Sequence, residues 1–171
     1  MKKGPSAIFA IIFASAWPAV ASPPNEQGCD VPKVHYVGEL QNLLSLRAVD
    51  AVRLSANIPT KLSLKLERLV APGATFSLGS GDVGRPLGVG VDGLRALARE
   101  MKANTFRFLQ WDYIPTPIES SCGAYKVDVE FTNNHDKTVF LISFKFEGGR
   151  IVAAEGWQRS FEAGALSQAQ N

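Results

Sequence analysis

A chain of 171 residues, 46% hydrophobic and 20% charged, has length and apolar content for one folded domain with a proper core. Its 18 Lys and Arg include Lys2 and Lys3; without that pair 16 remain against 16 Asp and Glu. A balance near zero excludes the strong field by which a nucleic-acid or anionic-surface binder collects its partner.

Lys2 and Lys3 precede an apolar run, Ala7 to Trp17, then Pro18 and Ala19-Val20-Ala21 before Ser22. This is the three-part pattern of a secretory signal peptide, residues 1–21, cleaved after Ala21. A buried N-terminal helix is the alternative. The run is too short to cross a bilayer, which takes about 20 apolar residues, so no membrane span remains after cleavage and the protein is expected to be exported, periplasmic or extracellular. Cys29 and Cys122 both survive cleavage. In an oxidising compartment an even pair reads first as a disulfide, with two free buried thiols as the alternative. No histidine lies near either cysteine and no His/Asp/Glu cluster has ligand spacing, so neither a metal nor a cofactor is expected.

Residues 22–35 carry three prolines up to Pro32 and form an extended lead-in. Val34, Val37, Leu40, Leu44, Ala48 and Val52 then recur at helical steps. Asn57-Ile58-Pro59-Thr60 breaks this helix and opens another with Leu62, Leu66, Leu69 and Val70 as its buried stripe, ended by Ala71-Pro72-Gly73. Ala74 to Leu78 is a short strand. Gly79 to Gly93 holds six glycines and reads as a flexible loop over the mouth of the sheet. Asp92 is placed to cap a third helix with Leu94, Leu97, Ala98 and Met101 inward. Thr105 to Ile114 is a strand, stopped by Pro115-Thr116-Pro117.

The last third carries the clearest pattern. Tyr125, Val127, Val129 and Phe131 alternate with Lys126, Asp128 and Glu130, giving one apolar and one solvated face. Phe140, Ile142, Phe144 and Phe146 share a face, and Val139 and Leu141 make the other side of that strand apolar too, which places it centrally. Asn133-Asn134-His135-Asp136 and Gly148-Gly149 supply the turns of an antiparallel meander ending in Arg150 to Phe161. The tail, 162–171, is expected to be disordered.

Chemistry-bearing motifs are few. The spacing GxGxxG occurs at Gly79 to Gly84 and at Gly88 to Gly93, but Arg85 and Pro86 cannot make the buried parallel strand a dinucleotide site needs. His35 and His135 fall in solvated positions, and there is no G-x-S-x-G. Aromatics remain. Phe76, Trp111, Tyr113, Tyr125, Phe140, Phe144 and Trp157 are numerous enough to line a pocket, with ordinary core as the alternative for each. Ala153, Ala154 and Gly156 leave part of the concave face unfilled unless a helix packs unusually close.

The helices, the segment LERLVAPGATF, the glycine-rich lead into GVDGLRAL and the meander ending FKFEGGRIVAAEGW together resemble the nuclear-transport-factor-2-like superfamily, with its SnoaL-like and steroid-isomerase-like members, over residues 36–161. The resemblance implies an α+β cone: a curved antiparallel sheet wrapped around two to three N-terminal helices, with an apolar cavity. The steroid-isomerase members would have their base, oxyanion-stabilising acid and first-helix tyrosine at or near Leu78, Ile142 and Leu54, all apolar here, so proton abstraction lacks its parts. The expectation is therefore a binder of a small, largely apolar molecule in a cavity lined by Phe76, Tyr125, Val127, Val129, Phe140, Ile142 and Phe144. The alternative is a SnoaL-like isomerase, dehydratase or cyclase drawing on Tyr125, Gln158, Asp112 and Tyr113. A homodimer through the sheet is expected too. Trp157 lies between Glu155 and Arg159 on one strand face, unless it turns into the core.

Overall fold

The computed structural model describes residues 29–60, 65–80, 83–109 and 116–160. The expected signal peptide lies outside the described residues, as do Trp111, Asp112, Tyr113 and the tail.

The first helix, α1 (Val37–Ser55), begins where Glu39 reaches back: its Oε2 accepts from the backbone N–H of His35 at 3.0 Å and of Tyr36 at 3.4 Å. Of the predicted stripe it buries Leu40, Leu44, Ala48 and Val52, with Val49 beside them, while Val37 is half-buried and Val34 precedes the helix. It stops at Ala56, followed by Asn57 with φ of +58°. The second helix is one turn, α2 (Leu66–Leu69). Strand β1 (Val70–Ser80) then starts four residues earlier than expected, because Pro72 and Gly73 are accommodated where its pairing slips between Val70 and Thr75.

The glycine-rich stretch corrects the expectation of a loop. Val83–Val89 is strand β2, paired antiparallel with β1, so the neighbour supplies the backbone partners that its sequence does not advertise. Nor does Asp92 cap the third helix, α3 (Gly90–Met101). The N-cap is Val89; Asp92 lies within the first turn and pairs with Arg95 at 3.0 Å. Gly93 has to be glycine: a Cβ there would sit 2.6 Å from the carbonyl carbon of Gly88 and 2.7 Å from the Phe76 ring. The second GxGxxG spacing is thus a packing device that brings α3 down onto β1.

Strands β3 (Thr105–Phe108), β4 (Tyr125–Asn133), β5 (Thr138–Glu147) and β6 (Arg150–Ser160) complete a six-stranded open sheet in the order β2-β1-β6-β5-β4-β3. The expected antiparallel sheet is in fact mixed: β1 runs parallel to β6, since the chain leaves β1 through β2 and α3 and returns through the meander. The β5–β6 hairpin turns at Gly148 and Gly149 with φ of +56° and +77°. The β4–β5 turn is held by Asn133, whose side-chain oxygen accepts from the N–H groups of His135 and Asp136. The inner face of the sheet, α1 and α3 form one continuous core.

Residues 29–36 are strapped across one end. Cys29 and Cys122 are joined. Arg47, buried, donates to Asp30 Oδ1 at 2.6 Å and to the Asp30 carbonyl at 2.8 Å. Val34 N–H donates to Ser121 Oγ, and Val37 N–H to the Thr116 carbonyl.

Candidate functional site

Register arranges the inward side chains in rows across the sheet. Phe76, Ala154, Phe144 and Val127 form one row; Leu78, Gly156, Ile142, Val129 and Phe108 form the next; Ser80, Gln158, Phe140, Phe131 and Phe106 form the third. Six of the expected lining residues, Phe76, Val127, Val129, Phe140, Ile142 and Phe144, are therefore neighbours, and each is 3% exposed or less. They are packed into the core. The opening expected beside the small residues of β6 is filled, because a Cβ on Gly156 would lie 2.1 Å from Ile142 Cδ1 and 2.8 Å from the Leu141 carbonyl oxygen. Ala153 pairs with Lys145 and shares the outer face with Glu155 and Trp157.

Tyr125 sits at the strapped end, where its hydroxyl donates to the Ser120 carbonyl at 2.6 Å. Gln158 is half-buried in the third row, at the opposite end. Asp112 and Tyr113 lie outside the described residues. Leu78 and Ile142, where the steroid-isomerase carboxyls would fall, flank Gly156 in one row and are buried. Both histidines are exposed, and among the described residues no three His, Cys, Asp or Glu gather as a metal site.

A cavity of about 300 Å3 opens beyond the third row, between the C-terminal ends of α1 and α3 and strand β3. Val49, Val52, Ala98, Phe106 and Phe131 form its apolar wall, and Arg53 and Lys102 are also among its lining residues. Phe106 and Ile58 stay 42% and 36% exposed, so the apolar surface continues to the mouth. Phe131 connects it to the expected lining: it pairs with Phe140 and meets the Phe144 ring edge-on at 6.2 Å. Lys102, just past the end of α3, holds φ of +44°, and its N–H donates to the Ala98 carbonyl. Burial holds the Asp50 carboxyl above its ordinary 3.8, and Arg53 offsets part of that rise. A shallower groove continues past Ala56, Ala98 and Lys102 to Arg95 and Arg99. Phe131 stood in the β4 alternation and could have been read as lining. Arg53, Phe106 and Lys102 could not, since nothing local says that two helix ends and β3 converge.

The outer face of the sheet carries ion pairs beside the half-buried Val139 and Leu141. Lys126 meets Asp128 at 3.7 Å, Arg107 meets Glu130 at 2.9 Å, Lys145 meets Glu155 at 3.2 Å, and Ser143 bonds to Asp128. Trp157 lies on this face, 43% exposed, with its ring over Gly79.

Helix, single turn, hairpin, helix and a long meander make an α+β fold around an open mixed sheet, in the element order that the sequence resemblance implied. No protein-family model matches the chain, and no curated protein matches it. Among solved structures it is similar to an NTF-2-like protein of unknown function from Burkholderia xenovorans, at 13% identity and a TM-score of 0.43, covering 78% of this chain and 94% of the other. A phenazine biosynthesis-related protein from Pseudomonas aeruginosa is similar at 16% identity and 0.36, covering 76% and 84%. A de novo designed NTF2-fold protein is similar at 13% and 0.29, covering 79% and 88%. Among the described residues no helix is long and apolar enough to cross a membrane.

Proposed function

We propose that the protein, exported after cleavage behind Ala21 as a single domain over residues 36–161, binds a small, largely apolar molecule without transforming it. The observation that carries this is the cavity between the ends of α1 and α3: about 300 Å3, at the lower end of the range for ligand sites, with apolar walls reaching its mouth. Phe131 lines it, while Phe140 and Phe144, its neighbours in the core, do not, so the site proposed here lies beside the lining expected from the sequence and not within it. The apolar Leu78 and Ile142 favour binding over isomerisation. A thermal-shift screen of apolar small molecules tests the reading. Ligands should stabilise the protein by mass action, about 2.7 kcal/mol at a hundredfold excess over Kd, and Ala103→Phe, which fills the cavity, should abolish the shift. Hits that survive Ala103→Phe would remove the proposal.

The same chain is proposed to pair with a second copy through the outer face of the sheet, around Trp157. Sedimentation at tens of micromolar that finds monomer alone would exclude this.

A further inference from the structure

We infer that the ligand of this cavity carries an anionic head group: the site selects an apolar body of roughly ten non-hydrogen atoms ending in a carboxylate or a comparable anion. This deepens the binding function proposed above and rests on it. The size follows from the volume, about 300 Å3, which equals about ten waters of liquid. The charge follows from the mouth. Arg53 and Lys102 line the cavity, and Arg95 and Arg99 line the groove that continues it. The carboxylate lining that groove, Asp92, is engaged by Arg95 at 3.0 Å. Arg99 and Lys102 enter no ion pair among the described residues.

A plainer account assigns these cations to the helix ends. Arg53 and Arg99 lie in the last turns of α1 and α3, where a positive charge offsets the dipole. That account falls short in magnitude. Two helix C-termini supply about −1 together and Asp92 another −1, against four cations, which leaves about +2; counting Asp50 beside Arg53 as ionised still leaves about +1. It also leaves Lys102 unexplained. Lys102 holds a left-handed backbone with φ of +44°, at the position where helices end most readily in glycine. A lysine there costs about 1 kcal/mol over glycine, and the residue lines both the cavity and the groove. Local strain that places a cation at the lip of an apolar pocket fits a head-group contact.

Calorimetric titration of the purified protein with octanoate, 1-octanol and octylamine tests this, because the three share one body and differ in the head. At low salt octanoate should bind about tenfold more tightly than octanol, the effect of one charge-assisted hydrogen bond, and octylamine more weakly than either. In 1 M salt, where the Debye length is about 3 Å, the advantage should shrink severalfold. Lys102→Asn tolerates the left-handed backbone and should cut the octanoate preference at least threefold while octanol affinity changes less than twofold. Equal binding of octanoate and octanol, tighter octylamine, or a preference untouched by Lys102→Asn would overturn the anionic head. If octanol binding is then still lost in Ala103→Phe, the apolar-binding function stands without it. Absence of binding by all three overturns both.

Discussion

Replacing both cysteines by serine should lower stability by about 4 to 5 kcal/mol, nearly all of it through the unfolded chain. The bridge joins residues 93 positions apart. Cross-linking over that distance removes about 16 cal/mol/K from the unfolded ensemble, or about 4.6 kcal/mol at 25 °C. The native state has little reason to change. The Arg47–Asp30 pair, buried Val31 and the Val34 to Ser121 hydrogen bond still hold the strap when the sulfurs are gone. The loss is a large share of the roughly 5–15 kcal/mol that a domain commonly has. Urea unfolding of the oxidised protein and of the Cys29→Ser/Cys122→Ser variant measures it. With a slope of about 2 kcal/mol per molar the midpoint should fall by about 2 M, and the slope should rise because the released chain exposes more surface. A fall below about 0.5 M would refute the assignment of the bridge's effect to the unfolded state. Two alkylatable thiols in the unreduced protein would refute the bridge itself.

Gly156→Ala should cost about 1 to 3 kcal/mol by overpacking against Ile142, and less in an Ile142→Val background that lacks the clashing Cδ1; additive urea midpoints would count against the contact. Asp50 titrates above 3.8 when folded, so the unfolded chain gives up that proton more readily and this group's contribution falls as pH rises from 3.8 through the folded value. Asp50→Asn should therefore be more stable than the parent at neutral pH, with the gap closing below 3.8; a gap that widens on acidification would reverse the sign. Lys102→Gly should raise the thermal midpoint, by about 1 kcal/mol of relieved backbone strain, and a lowered midpoint would show that the strain is absent.

The meander was legible because each of its signals is local. The alternation from Tyr125 to Phe131 and the Gly148-Gly149 pair specify faces and turns within ten residues. The stretch from Val83 to Val89 was not, because glycines and Pro86 hide a strand whose hydrogen bonds come from β1. The fate of the concave face was likewise set elsewhere: Gly156 reads as missing bulk, yet the Ile142 side chain on the neighbouring strand occupies the space. The cavity itself escaped notice because it belongs to no segment. It exists where the ends of α1 and α3 meet β3: Val52, Ala98 and Phe131 each stood in a pattern readable from the sequence, but in three separate segments whose convergence no local signal reports.

The parallel joint between β1 and β6 also sets an order of events during synthesis. Thr75 pairs with Ala153, 78 positions later, so β1 emerges with the backbone edge that β6 will take unpaired. At 5–20 residues per second its partner follows after about 4 to 16 s. The meander can form within itself, but the sheet cannot be joined until β6 has been synthesised. Throughout that interval β1 and β2 wait as a two-stranded piece with the β1 edge open.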